Sequence, residues 1–460
     1  MKNDIAAVAV IPGAVAANSA TEILANWISA QGNSSISTSA FTWAKHVLLD
    51  WTAVTIAGFA EPLVQMLVAE YGGDATGPCS LLAGSGRARP LDAALINGCA
   101  GHALDFDDVA ARMFGHPSVP VVPAALALAQ AQRLSGLDLL RALVVGHQVE
   151  TQLGDMVGLS HYLHGFHVTG TIGTFGASAA CANLKRLDAA TTAHALGLAA
   201  TQAAGLKSMF GTMAKPLHAG KAAMNGLMAA QLAARGFTAH VHAIECAQGF
   251  AQTQAPQINP IPARIDTSAG FAIESALFKY HAACYMTHST IEAVRQARVR
   301  HKLDLDSVES MTIGVADNHR GVCDIENPQT GLNVKFSIQH LAVLALDGID
   351  TAALDLYSDA TALDPRYAAV RARTKLADVD LSNRHGAHVT IRTRDGREIV
   401  ETANVAIAAT DLNAQWDRLV SKAHAITMPI IGAARFEQMI AAIDQLDKAA
   451  TLDRFLGAVQ

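Results

Sequence analysis

Across residues 20–239 apolar side chains recur every three or four positions almost throughout, and strand-like and helical segments do not alternate. That period is the mark of helices with one buried face. The windows 137–156, 189–206 and 219–234 carry it most clearly, with Pro117, Pro120, Pro123, Gly165 and Pro216 as the expected breaks. A doubly wound nucleotide-binding sheet needs strands and helices in alternation, so the pattern disfavours that fold. Aromatics make up 5% of the chain against 35 glycines. Helices here must meet through small residues at close range rather than through aromatic layers.

The character changes after a Pro-containing polar loop at 252–266. Residues 308–315 alternate like a strand, and 388–394 and 397–402 flank Asp395-Gly396, a strong hairpin signal. Ser289-Thr290-Ile291-Glu292 has the spacing of a capping box ahead of a helical run. From Leu412 the helical period returns. The expected fold is therefore mainly α. A large helical domain is formed by both chain ends (1–266 and 404–460), with a smaller α+β domain inserted at 267–403.

Charge and composition narrow the partners. The chain carries 34 Lys and Arg against 40 Asp and Glu, a net charge of −6 without a basic run, which argues against a nucleic-acid ligand. Hydrophobic residues at 51% exclude disorder. Residues 189–206 lack formal charge, but their Thr, Gln and His suit a bundle helix rather than a membrane span. The apolar run at 5–17 imitates a signal peptide. Lys2 is offset by Asp4, however, and Pro12-Gly13 interrupts the run, so a cytoplasmic protein is expected. Six cysteines without a C-x-x-C pair fit free thiols in a reducing compartment.

The 19 histidines are the unusual count, and several stand in polar clusters. The densest is Gly101-His102-Ala103-Leu104-Asp105-Phe106-Asp107-Asp108, followed by Gly115-His116-Pro117-Ser118. Buried carboxylates at this density need hydrogen bonds, cations or a metal. The spacing is neither that of an EF-hand nor H-E-x-x-H, and a helix-end network of Asp side chains is the structural alternative. The closely spaced glycines of Gly165-Phe166-His167 and the run to Gly176 lack a P-loop ending and suit helix contact. In Lys215-Pro216-Leu217-His218 the proline biases Lys215 away from helical geometry, which places the lysine in a loop before a helix from Ala219. A fourth cluster runs from Lys279 through Cys284 to His288. The segment Val334-Lys335-Phe336-Ser337-Ile338-Gln339-His340 adds two more polar candidates. Cys284 with a neighbouring histidine has the elements of a thiol nucleophile, although a thiol in an apolar stretch is more often inert packing.

Together these segments resemble the MmgE/PrpD family, which includes 2-methylcitrate dehydratase, cis-aconitate decarboxylase and iminodisuccinate epimerase. The matching residues are Asn97-Gly98, His102, Leu104 through Asp108, His116-Pro117-Ser118, Gly165-Phe166-His167, Lys215 through His218 and Lys279 through His288. Leu48-Leu49-Asp50 and Gly331-Leu332 through Phe336-Ser337 resemble the family's first helix and lid. The resemblance implies a helical domain with an inserted lid, usually a homodimer, and a site that uses no metal or organic cofactor. It implies a pocket of Asp105, His116, His167, Lys215 and His288 acting on a small anionic carboxylate, with His102, Lys335 and His340 as further substrate contacts. Family decarboxylases and dehydratases resemble each other in a Thr where this chain has Val109, and the decarboxylase lid Tyr looks replaced by His340. Loss of two hydroxyls weakens recognition of a hydroxylated or tricarboxylate substrate. On that ground the expected activity is a cofactor-independent epimerase of the iminodisuccinate type. The alternative is a lyase, dehydrating 2-methylcitrate or decarboxylating cis-aconitate.

Overall fold

The computed structural model describes residues 19–72, 77–84, 86–379 and 385–460. The signal-like run, and with it any processing of the first 18 residues, lies outside them. The fold is mainly α. Among the described residues no single helix is long and apolar enough to cross a membrane.

The helical core gathers buried residues from Ala20 to Ala282 together with Ala352 and the C-terminal stretch Leu419 to Val459. At its centre the helices Pro90–Ala103, Ser118–Ala131, Val168–Leu184 and Ala214–Ala233 pack on one another. Small residues set their spacing. A Cβ on Gly98 would lie 2.8 Å from the Cα of Gly220, and one on Gly226 would lie 2.6 Å from the Ser178 nitrogen. Either contact is too close for any larger residue.

Two proline expectations are corrected. Ser118–Ala131 begins directly after Pro117 and runs through both Pro120 and Pro123. Pro120 sits in the first turn, where no backbone donor is needed, and the wholly buried surroundings of Pro123 hold the helix together across it. Likewise Pro216 lies in the first turn of Ala214–Ala233, so Lys215 is helical rather than in a preceding loop.

A separate core uses residues from Ala283 to Ile399. Its sheet has the order β4-β3-β5-β6, built from β3 (Val308–Val315), β4 (Thr374–Asp378), β5 (Gly386–Thr393) and β6 (Glu398–Asn404). The short pair β1 (Cys79–Ser80) and β2 (Arg87–Ala88) lies apart in the helical part. β3 pairs parallel with β4 and antiparallel with β5, with Ile313 opposite Leu376 on one side and Val389 on the other. The β5–β6 turn has Gly396 at φ +89, the left-handed conformation a tight hairpin demands. The helices His288–His301 and Ile338–Asp347 pack together, and the first of them also covers β5 and β6. Phe271, Ile273, Ala276, Phe278 and Ala282 belong to the helical core, so the second core begins beyond the expected boundary at 267.

The capping box at Ser289 does not form. The helix starts at His288, and the Ser289 hydroxyl instead donates to the His385 carbonyl and accepts from the Val405 amide. It ties the start of this helix to the open end of the β5–β6 hairpin.

Candidate active site

The helix Pro90–Ala103 ends just short of Asp105, whose backbone adopts φ +50. Asp tolerates this left-handed turn better than most residues. The turn sends the Phe106 side chain into the core and leaves Asp105 and Asp107 beside one cluster of cations and imidazoles. Lys422, from the helix Leu412–Ile431, buttresses the same loop. Its ammonium donates to the Phe106 carbonyl at 2.8 Å and to Asp50 at 2.5 Å.

Asp105 Oδ1 receives two ammonium groups, Lys215 Nζ at 2.9 Å and Lys279 Nζ at 3.2 Å. Lys279 also donates to the Asp105 carbonyl oxygen at 2.6 Å. The Asp105 side chain remains 51% exposed with both ammoniums on it. Burial alone would raise its carboxyl, but Lys279 and Lys215 hold it well below the usual carboxylate range.

Asp107 is fully buried. His102 Nδ1 lies 2.9 and 3.0 Å from its two oxygens, and His116 Nδ1 lies 3.0 Å from Oδ2. Burial would raise this carboxyl too, but the two imidazoles keep it well below its ordinary value. Burial pulls His102 down to about 4 against the opposing pull of Asp107. At neutral pH the pair is therefore a carboxylate accepting from a neutral imidazole. His116 has its backbone fixed by a hydrogen bond from its N–H to Thr169 Oγ1, 3.0 Å, and its Nε2 lies 3.5 Å from Asp105.

His167 caps the helix Val168–Leu184 at its N-terminus. Its Nδ1 is 3.1 Å from His218 Nδ1, and its ring stacks on His102 at 5.7 Å. Burial first, then His102 and Lys215, hold His167 far below an ordinary histidine. It is a neutral base rather than a standing cation. Lys335, from the second core, lies within electrostatic reach of Asp105 and Lys279, and burial lowers its pKa.

Of the residues expected from sequence, the fold thus brings together Asp105, His116, Lys215, His102 and His167, with Lys335 close by. His340 does not join them, and His288 stands apart from the imidazole cluster but within electrostatic reach of Lys279. His340 is fully buried in the second core, where its Nδ1 accepts from Arg371 at 2.8 Å and its ring meets the edge of Tyr367. Ser337 caps the helix that carries it, its hydroxyl accepting from the His340 amide at 3.4 Å. His288 is fully buried, donates from Nε2 to the Ala283 carbonyl at 3.2 Å, and packs against His281 and Tyr285. It lines a separate cavity of about 530 Å³ with His281, Glu292 and Arg418.

Sequence reasoning also passed over Asp107, Lys279 and His218. All three stood inside quoted clusters, but nothing in a linear pattern says which of three neighbouring aspartates faces the imidazoles. Of the three aspartates, Asp107 is the one hydrogen-bonded to His102. Cys284 shows no imidazole contact among the described residues; its amide donates to the Lys335 carbonyl at 3.0 Å. Ligating atoms of His102, Asp105, Asp107 and His116 lie within 4.8 Å of one another. The charge balance does not suit a dication there, because two lysine ammoniums already sit on Asp105.

Residues 22–259 match the MmgE/PrpD N-terminal domain and residues 281–448 the MmgE/PrpD C-terminal domain. A cis-aconitate decarboxylase-like protein of Aspergillus oryzae is 26% identical over 95% of this chain and 97% of its own length. The human cis-aconitate decarboxylase is 32% identical over 46% of this chain and 45% of its own. The Aspergillus terreus enzyme of that name is 25% identical over 71% of each.

Proposed function

The chain belongs to the MmgE/PrpD family, and from that premise we propose that it is a lyase of the cis-aconitate decarboxylase type. The observation that carries this reading is the pair of lysines on one half-open aspartate, flanked by imidazoles. A tricarboxylate needs several cations, and Lys215, Lys279 and Lys335 supply them from both cores. In decarboxylation the bond to the leaving carboxylate breaks and carbon dioxide departs. The electron pair moves into the conjugated unsaturated system, and a proton is added to carbon. The lysines stabilise the charge that develops on the remaining carboxylates. His116 lies between two carboxylates and can pass a proton at its Nε2.

The epimerase reading rested on two missing hydroxyls. His340 faces Arg371 inside the second core, so its substitution for a tyrosine does not measure what the cleft lacks. That half of the case falls away, while a cis-aconitate decarboxylase-like relative matched over 95% of this chain favours the lyase.

The test is direct. Purified protein with cis-aconitate should release one carbon dioxide per substrate consumed, and Lys215→Ala should abolish the release. Deuterium exchange at carbon without carbon dioxide, or water loss from 2-methylcitrate alone, would overturn this reading in favour of an isomerase or a dehydratase.

A further inference from the structure

We infer that Lys422 is a positioning residue of the site: it tethers the Phe106 carbonyl and so sets where the flanking Asp105 and Asp107 stand. Its effect on turnover rests on the lyase reading, whereas the tether is read from geometry alone. The turn that carries both aspartates belongs to no helix or strand, so its carbonyls need partners from elsewhere. Two successive carbonyls take one lysine ammonium each, Asp105 from Lys279 at 2.6 Å and Phe106 from Lys422 at 2.8 Å. Among the described residues the Phe106 carbonyl accepts no other hydrogen bond. The Phe106 ring, itself wholly buried, lies 4.0 Å from the same ammonium.

Lys422 comes from Leu412–Ile431 and Asp50 from Thr38–Gly58, so the tether links the turn to both ends of the chain. Lys422 and Asp50 meet at 2.5 Å with side-chain exposures of 2% and 1%. Burial raises Asp50 to about 6 against the pull of Lys422, and it lowers Lys422 against the pull of Asp50. One oxygen of Asp50 is buried with no hydrogen bond. A pair kept under those conditions is a poor source of stability, since apolar side chains of similar volume serve as well. Apolar side chains cannot, however, donate to the Phe106 carbonyl. On one side of that carbonyl Asp105 holds Lys215 and Lys279, and on the other Asp107 holds His102. The charges that act on both Lys422 and Asp50 include two from the site, Asp107 and Lys279.

Lys422→Met removes the donor and keeps the apolar stem, whereas Asp50→Asn keeps an oxygen that accepts from Lys422 and so keeps the tether. A tether therefore predicts that the two variants differ. Lys422→Met should lower kcat for cis-aconitate by about 10²-fold, and Asp50→Asn by only about tenfold or less. KM should stay within a few fold in both, because Lys215, Lys279 and Lys335 remain to hold carboxylates. A pair that only stabilises the fold predicts equal losses, in step with the unfolded fraction read by urea unfolding. Crystal structures of wild type and Lys422→Met read the positioning directly, with the Asp105 and Asp107 carboxylates expected to shift by more than about 0.5 Å. A turn left in place would overturn the inference, and so would kcat unchanged in folded Lys422→Met or lost equally in both variants. If Lys422→Met does not fold, the double variant Lys422→Met with Asp50→Leu, which leaves neither charge of the pair buried, takes the same measurements. Should that variant also fail to fold, the pair is a requirement of folding and the inference falls. If wild type never releases carbon dioxide from cis-aconitate, the lyase reading fails, while the place of the turn in the two crystal structures still decides the tether.

Discussion

One oxygen of Asp105 holds two ammonium groups, yet the two lysines are not equivalent. Lys279 is buried at 4% side-chain exposure and also donates to the Asp105 main chain, whereas Lys215 is 16% exposed and meets the carboxylate alone, with the Phe210 ring 5.4 Å from its ammonium. Lys215→Ala is thus expected to remove activity with little change in stability. Lys279→Ala should lose activity and also about 1–3 kcal/mol of stability, less than a fully buried pair would because Asp105 is half open to water. Urea unfolding beside a turnover assay separates the two. This distinction was beyond reach in the sequence. Lys215 stood out beside a proline and a histidine, while Lys279 read as part of a cysteine-containing segment. Asp107 and Asp105 were inseparable as letters, because the left-handed turn at Asp105 decides which one meets the imidazoles. His340 shows the converse error, a residue matched by motif whose helix faces the other way.

At the scale of elements, the site depends on how closely the helix Ala214–Ala233 approaches Val168–Leu184, since one carries Lys215 and His218 and the other His167. Gly226 sets that distance. A Cβ there would meet Ala177 Cβ at 2.5 Å, the Ser178 nitrogen at 2.6 Å and the Thr174 carbonyl at 2.7 Å, two of them backbone atoms that cannot swing aside. Gly226→Ala should cost about 1–3 kcal/mol by overpacking and should also widen the His167–His218 contact. Gly457→Ala, with open space around its Cβ, should be neutral or stabilising by up to about 1 kcal/mol. Thermal unfolding of the two variants, with carbon dioxide release from each, checks both halves; equal midpoints would remove the close-approach account. The helices themselves were legible because their periodicity is continuous, and the Asp395-Gly396 hairpin because a tight turn fixes its own register. The failures were local. Proline was read as a break at positions where a first turn accommodates it, and Ser289 as a cap when its hydroxyl was already engaged by distant backbone.

For the whole molecule, the hydrophobic cores account for the bulk of the fold, but ionisable groups buried among them should make stability peak near neutrality. Burial lowers His102 and His147 to about 4, and burial with Lys45 nearby does the same to His46. Between pH 6.5 and 4 the unfolded chain binds protons at these positions that the folded chain refuses, so stability falls as the pH drops through that window. Glu150 and Asp108 behave in the opposite sense. Burial raises both carboxyls well above their ordinary values, with Asp108 acting on Glu150, and with Asp50 and Asp107 acting on Asp108. Ser118 donates to Asp108 from its hydroxyl at 2.5 Å and from its amide at 3.3 Å, and these bonds only partly offset the rise that burial imposes on Asp108. His147 donates from Nδ1 to the Leu143 carbonyl at 2.8 Å. Glu150 has neither oxygen hydrogen-bonded, and a carboxylate in that state would be far costlier than the neutral acid. From about pH 4.5 upward the unfolded chain therefore releases protons that the folded chain keeps, and stability falls with rising pH until the folded pKa values are passed. Above pH 7.5 these histidines no longer contribute, whereas Glu150 and Asp108 still do, beside buried thiols and lysines whose own shifts act there. Glu150→Gln should remove one proton's share of the slope. The stability difference between variant and wild type should then grow by up to about 1.4 kcal/mol per pH unit on the alkaline side and vanish near pH 4.5. Urea unfolding at pH 6, 7, 8 and 9 reads that difference. Curves that stay parallel across the series would mean that Glu150 ionises in the folded chain and finds its charge compensated.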